Sequence, residues 1–522
     1  MKNRRDFLVD AASVSIAAAF SALLPSGSAL GAGAAATLTI HPGNVVTQIP
    51  SDFVGLSYES SQLGDPDFFS PKNAGLIALF RTLSPNGVLR LGGNSSEFTW
   101  WKADAAAQQP TLQHPPGTTD ANWMPHELVP ITPAAIDNLG DFLDATGWKL
   151  IYGLNLGSGT PARDAEEAVY VYKAMGERLL YFQIGNEPDL YHNDRNGLRP
   201  ANYDFDAYLA DWLTFANGVS DKLSDATFGG PDSNGIADWA VLFASQAPQK
   251  KSGIVALTSH YYAEGPPDDP TVTIERLLQR DPHLVANLPR VMAAARAANL
   301  PYRMTEGNSC YRGGKPNMSD AFASSLWAAD YMLYLAQAGC VGVNLHGGGT
   351  KQIRAALGGH LPGESVATRP DAAASGSFYT PIAGDAEKGF FARPIFYGMM
   401  LASHFSGASL IANDFDSQGA NATAYAAKTP AGISIALFNK DAASDLEIDL
   451  TIDGAAAAQF PHARVWRLTG PALDATSDVR LAGAPVAQDG SWSAAREEKV
   501  VARGGRFTIS LPHASGAFVL LS

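Results

Sequence analysis

The chain has 522 residues, 46% of them apolar and 17% charged, a balance that excludes wholesale disorder and is too long for one ordinary core. Lys and Arg number 37 against 51 Asp and Glu, for a formal net charge of −14. An acidic surface repels polyanions, which argues against nucleic acid and highly sulfated polymers as partners.

Residues 1–34 read as an export signal. Asn3-Arg4-Arg5-Asp6-Phe7-Leu8 has the form of a twin-arginine box, an Ala/Val/Leu run follows from Val9 to Leu24, and Ala32-Gly33-Ala34 offers small cleavage residues. The protein is therefore expected in the periplasm or outside the cell. After this segment no apolar stretch is long enough to cross a bilayer, so membrane insertion is not expected.

Residues 35–50, with Thr37–Ile40 as the strand signal, are expected to join a C-terminal sheet. From residue 51 to 384, eight short apolar runs alternate with amphipathic stretches. The runs are Phe53–Tyr58, Val88–Leu91, Leu150–Leu156, Leu180–Gly185, Thr227–Gly230, Val255–Tyr262, Tyr302–Glu306 and Cys340–His346. Between them, stretches such as Asp164–Met175, Tyr203–Leu223, Leu284–Ala298 and Asp320–Ala338 carry apolar residues at helical spacing. Eight strand–helix units predict a closed (β/α)8 barrel, the TIM-barrel fold. An open doubly wound sheet is the alternative, but no Gly-x-Gly-x-x-Gly follows the first strand. Residues 385–522 change texture. Runs such as Ala422–Lys428, Ile433–Phe438, Leu446–Ile452 and Arg506–Leu511, broken by Gly, Asp and Pro, predict an antiparallel β-sandwich.

Only Cys310 and Cys340 occur, and the strand assignment holds them at opposite ends of neighbouring strands, so two free thiols are expected. No His-Glu-x-x-His, paired Cys-x-x-Cys or Walker-type loop is present, so no metal or nucleotide cofactor is indicated. The missing Gly-x-Ser-x-Gly elbow argues against an esterase. Nothing in the sequence indicates an obligate protein partner.

Catalytic residues of such a barrel sit where strands end at its C-terminal face. Two carboxylates occupy such positions, Glu187 in Asn186-Glu187-Pro188 after the fourth strand and Glu306 at the end of the seventh. Carboxyl groups from opposed walls of one cleft are what glycoside hydrolysis needs, one to protonate the leaving oxygen and one to attack the anomeric carbon. Strand alternation turns His260 and Tyr262 to one face and Tyr261 to the other. His260 reads equally as a site residue or a satisfied buried histidine.

The ordered set Val88-Leu89-Arg90-Leu91-Gly92-Gly93-Asn94, Asn186-Glu187-Pro188, Leu257-Thr258-Ser259-His260-Tyr261-Tyr262 and Glu306-Gly307-Asn308-Ser309-Cys310-Tyr311-Arg312-Gly313-Gly314 resembles the β-glucuronidase/heparanase family of retaining barrel glycosidases. The resemblance implies Glu187 as acid/base and Glu306 as nucleophile. It implies Tyr262 as the phenol that orients the nucleophile and Glu59 as a contact for sugar hydroxyls; Asn186, next to the acid, is placed to hold the sugar 2-hydroxyl, and Asn94 and His260 are further substrate-binding candidates. It further implies a grip on the uronate by Tyr311, Gly313 and Tyr379; Gly313-Gly314 reads otherwise as a plain turn. A carbohydrate bearing terminal β-glucuronate is the implied substrate, released by an exo-acting enzyme, since the basic clusters of an enzyme cutting inside sulfated chains are missing. The stretch 350–375 looks like an insertion that restricts the leaving-group side. Rival readings are another retaining barrel glycosidase, of arabinofuranosidase or xylanase type, and a carbohydrate-binding protein without turnover.

Overall fold

A computed structural model describes residues 34–112, 128–192, 197–368, 373–454 and 459–522. The stretch read as an export signal lies, up to residue 33, outside the described residues.

Both parts of the expected architecture are present. Eight parallel strands, Val54–Glu59, Val88–Gly92, Lys149–Leu154, Leu179–Ile184, Phe228–Ser233, Ile254–Glu264, Tyr302–Cys310 and Gly342–Gly347, close into a barrel. The eighth strand pairs with the first from Val343↔Val54 to Gly347↔Tyr58, which completes the ring. All six residues of Val54–Glu59 are buried, as a strand with side chains on both faces of a covered barrel requires. The outer helices start and stop on local chemistry. Thr132, Thr160, Asp204 and Asp281 each accept a backbone N–H at the N-cap, and Gly147 ends Pro133–Thr146 in a left-handed conformation.

The barrel runs past residue 384, the boundary expected from sequence. Its eighth helix is Pro394–Ser403, packed between Ala74–Leu83 and Phe322–Ala338. Ile395, Phe396, Tyr397, Met399, Met400 and Leu401 bury every face of this helix, so it shows no amphipathic stripe to read.

A ten-stranded sheet forms the second domain and encloses its own core of Leu38, Ile40, Ile435, Ile448, Leu450, Ile509 and Leu521. The alternation of buried and exposed residues in Arg506–Leu511 is that of a strand with one face on a core. Pairing is antiparallel except where Ala34–Gln48 meets Leu446–Ile452 in parallel. Between the domains, Asp330 on Phe322–Ala338 receives Lys440 Nζ at 2.7 Å, Arg280 Nη2 at 3.0 Å and the Tyr425 hydroxyl at 2.6 Å. Both cysteines are free and buried. No described helix is long and apolar enough to cross a membrane.

The 350–375 segment, apart from residues 369–372, is described. It contains the helix Thr350–Ala356 and a 3-10 turn Pro362–Val366, tied by the Arg354–Glu364 ion pair. Ile353, Leu357 and Leu361 pack with Phe378 and Tyr379 into a small apolar cluster.

Candidate active site

Glu187 follows the fourth barrel strand in a left-handed conformation, φ 48°, ψ 50°. A side chain with a Cβ pays about 1–2 kcal/mol for that backbone, and such strain persists where neighbours hold it. Here the Glu187 N–H donates to the Asp232 carbonyl at 2.9 Å. Glu306 lies inside the seventh strand, which runs on to Cys310 rather than ending at the glutamate. The register against the sixth strand slips between Met304 and Glu306. Strict alternation would send consecutive side chains to opposite faces; the bulge lets Thr305 reach Asp232 while Glu306 enters the cleft.

The two carboxylates meet. An oxygen of Glu187, an oxygen of Glu306 and a ring nitrogen of His260 all lie within 4.8 Å of one another, and all three residues are buried. These are the donor types of a cation site. Arg90, 2.7 Å from Glu306, opposes a cation there.

The surroundings distinguish the two acids. Glu306 Oε2 receives Arg90 Nη1, and Oε1 receives the Tyr262 hydroxyl at 2.7 Å. Burial works to raise the Glu306 pKa, but the charges of His346, His260 and Arg90 and the Tyr262 bond outweigh it and bring the carboxyl down to about 2. Glu187 Oε1 accepts from Asn234 Nδ2 at 2.9 Å and faces His260 Nδ1 at 3.1 Å. Among the described residues Oε2 carries no hydrogen bond. His260 Nε2 lies 3.0 Å from Asp232. Burial lowers the His260 pKa, yet the Asp232 and Glu306 charges and its bonds to Asp232 and Glu187 raise it to about 10.

Arg90 joins these groups from the second strand. Its fully buried guanidinium donates to Gln183 Oε1 at 3.1 Å, Ser57 Oγ at 3.2 Å and Asn186 Oδ1 at 2.8 Å, as well as to Glu306 and Asp232. The two glycines that follow leave room for this. A Cβ on Gly92 would meet Arg90 Cζ at 2.1 Å, and one on Gly93, at φ +73°, would meet Glu59 Oε2 at 2.3 Å.

A cavity of about 340 Å³ opens above the carboxylates. Of the residues singled out from sequence, Glu59, Asn94, Glu187, Tyr262, Glu306, Tyr311 and Tyr379 line it. Asn186, His260 and Gly313 do not. Asn186 reaches Asn94 Oδ1 at 3.1 Å, and the buried His260 faces Glu187 through Nδ1 and Asp232 through Nε2. Gly313, at φ +89°, folds its turn back behind the wall. Its carbonyl accepts the Phe378 N–H at 2.8 Å, and a Cβ there would meet Leu361 at 2.7 Å. Glu59 accepts from Ser95 N and Oγ at 2.9 and 2.7 Å and faces His346 Nε2 at 3.5 Å.

Sequence reasoning missed Arg90, Asp232, Asn234, Arg312 and His346 as parts of the site. One signal was available: an arginine inside the apolar run Val88-Leu89-Arg90-Leu91 must be buried, and a buried cation must be paired. The 350–375 segment meets the cavity through Ile353 and Leu357, in the cluster that holds Tyr379, and the Ala356 carbonyl lies 3.5 Å from Asn94 Nδ2. Leu190 and Asn234 line the cavity beside Glu187.

No family model matches the chain. The β-glucuronidase of Aspergillus niger is 26% identical over 362 residues, covering 60% of this chain and 65% of that protein. The β-glucuronidase of Neurospora crassa is 25% identical over 287 residues, half of each chain. The match thus spans between one half and two thirds of these curated relatives. Among solved structures, a 4-O-α-L-rhamnosyl-β-D-glucuronidase from Fusarium oxysporum superposes with a TM-score of 0.67 at 17% identity, over 92% of this chain and 100% of that one. A family 51 α-L-arabinofuranosidase from Bifidobacterium longum gives 0.65 at 14% identity, over 93% and 99%. The protein therefore has the fold of these enzymes, a TIM barrel with a β-sandwich domain.

Proposed function

We propose that the protein is a retaining glycoside hydrolase that releases terminal β-D-glucuronate, with Glu306 as nucleophile and Glu187 as acid/base. The observation that carries this is the approach of the two carboxylates to within 4.8 Å. Double displacement needs carboxyl groups about 5–5.5 Å apart, and inversion needs about 6.5–9.5 Å to admit a water.

The residues fit the two roles. Glu306, held ionised and turned by Arg90 and Tyr262, attacks the anomeric carbon. Glu187 delivers a proton from Oε2, the oxygen left free, to the departing oxygen; it then takes one from water as the glycosyl–enzyme ester is cleaved. Asn94 and Glu59 stand where ring hydroxyls would lie. Arg312 lines the cavity with Tyr311 and Tyr379, so a cation and two phenols are available for a uronate carboxylate. The relatives named β-glucuronidase support that sugar. Because the acid marks the leaving-group side, Leu190 and Asn234 flank the departing group. Ile353 and Leu357 of the 350–375 segment line the cavity and pack with Tyr379, and a wall closed there would suit attack at chain ends.

The test is a panel of aryl glycosides, with the configuration of the first-formed product followed by NMR. Hydrolysis of the β-glucuronide with β-product formed first, abolished in Glu306→Gln, is the expected result; α-product or undiminished turnover in that variant refutes it. The likeness in fold to arabinofuranosidases favours a second reading, on which the α-L-arabinofuranoside is the better substrate.

A further inference from the structure

Glu97 takes no part in the chemistry above and never reaches the cavity, yet it is a buried carboxylate with both oxygens engaged by other loops. It sits in the 3-10 turn Asn94–Phe98 after the second barrel strand and is 1% exposed. Oε1 accepts the backbone N–H of Asn186 at 2.6 Å. Oε2 accepts the backbone N–H of Gly157, beyond the third strand. The Tyr191 hydroxyl, three residues after Pro188, adds a third donor. The Glu97 carbonyl in turn accepts Ser158 Oγ at 2.5 Å. One side chain thus ties together the loops that follow strands two, three and four.

Asn186 is the residue before Glu187, so the amide held by Glu97, that of the Gly185–Asn186 peptide, lies one link before the peptide that enters the left-handed acid/base position. A strained φ of +48° at Glu187 persists only where neighbours hold the backbone that leads into it. The Asp232 carbonyl holds it at the Glu187 N–H, and Glu97 holds it one residue earlier. Burial pushes the Glu97 carboxyl up to about 7, against the pull of Tyr191, the Gly157 and Asn186 amides and Arg199, so these bonds offset its desolvation only in part.

We propose that Glu97 is a positioning residue for Glu187: its carboxyl group fixes the Gly185–Asn186 peptide, from which the chain turns into Glu187, and so aims the acid/base at the leaving oxygen. This rests on the glycosidase reading. Glu97→Gln keeps the size but replaces one accepting oxygen by a donor, which confronts either the Asn186 or the Gly157 N–H. Gly157→Ala approaches from the other side and leaves the carboxylate intact; its Cβ would meet Glu97 Oε2 at 2.7 Å and Glu97 Cβ at 2.8 Å.

The deciding measurement is kcat/KM on two β-glucuronides, one with an activated nitrophenol leaving group and one with an alkyl alcohol. An activated phenol departs with little help from an acid, whereas the alcohol needs the proton. Misaiming Glu187 should cut kcat/KM for the alkyl substrate by about 10²-fold and leave the nitrophenyl substrate within about 3-fold, in both variants. Equal losses on both substrates, or no loss, overturn the proposal. A crystal structure of Glu97→Gln gives a readout independent of turnover, with Glu187 expected to leave its left-handed conformation; an unchanged Asn186–Glu187 peptide overturns the proposal. Wild type that cleaves neither glucuronide fails the glycosidase reading, and the peptide geometry of the variant still decides whether Glu97 holds this turn.

Discussion

Arg90 lies 2.7 Å from Glu306 through Nη1, and the same guanidinium binds Asp232, so one buried cation serves two buried carboxylates. Replacing it by Gln removes one of the charges that hold Glu306 near a pKa of 2. Burial is then opposed only by His346, His260 and Tyr262, and the Glu306 pKa rises. The acid limb of the kcat/KM profile should move to higher pH and turnover should fall by about 10²–10³-fold. An acid limb left in place would mean that Arg90 does not set the charge of Glu306.

Tyr262→Phe tests the orientation of Glu306 with little change in shape. The phenol lies on the Glu306 side of the cavity, its ring 6.1 Å from that of Tyr379. Loss of one bond to a charged acceptor, about 1.5–3 kcal/mol, predicts a fall in kcat of about 10–100-fold with KM within a few-fold. A rise in KM at constant kcat would assign Tyr262 to substrate binding.

His260 predicts a pH-dependent stability. Its pKa goes from an ordinary 6.5 up to about 10 on folding, so its pairing with Asp232 and Glu187 stabilises the protein fully below pH 6.5. That contribution fades as pH rises through 10. In urea unfolding, the deficit of His260→Gln relative to wild type should be largest in the acid range and shrink as pH approaches 10. A deficit constant over the range would show the imidazole to be neutral in the fold.

Asp330→Asn should destabilise the junction of the two domains. Lys440, 5% exposed, loses its carboxylate partner, and a buried charge stripped of its partner costs about 3–5 kcal/mol. The expected outcome is a lower urea midpoint with glycosidase activity retained under native conditions. Lys440→Met in the same background should recover part of the loss, because it removes the stranded charge.

Replacing residues 350–366 by a short Gly/Ser linker would remove Ile353 and Leu357 from the wall beside Tyr379. KM for glucuronides should rise while the ranking among aryl leaving groups stays as it was. A changed ranking would place the insertion on the leaving-group side.

All eight barrel strands are legible as short apolar runs, because a parallel strand covered on both faces has no polar side to interrupt it. Pro394–Ser403 is buried on every face for the same reason and, lacking an amphipathic stripe, escapes the helical pattern. Ser409–Asp416 escapes for the opposite reason: its half-buried Asn413 and exposed Asp414 and Asp416 dilute the strand signal. In the site, Glu187 is legible as a polar residue just past a strand, and Glu306 as the residue that closes an apolar run although its strand continues to Cys310. What gathers around them is not: Arg90, Gln183, Asp232 and His260 lie on four different strands, and spacing along the chain says nothing about which polar residues face one another across a barrel. The bulge at Thr305 is invisible for the same reason, since it exists only relative to a neighbouring strand.

The strand Ala34–Gln48 lies between Ser409–Asp416 and Leu446–Ile452, so the middle of the second domain is synthesised before the whole barrel and its neighbours after it. A fragment started downstream of the barrel would carry two raw sheet edges, the usual invitation to intermolecular pairing. On the ribosome, the first-made ribbon must wait, unpaired, for several hundred residues before its companions emerge; supplying it as a separate peptide should rescue the solubility of such a fragment.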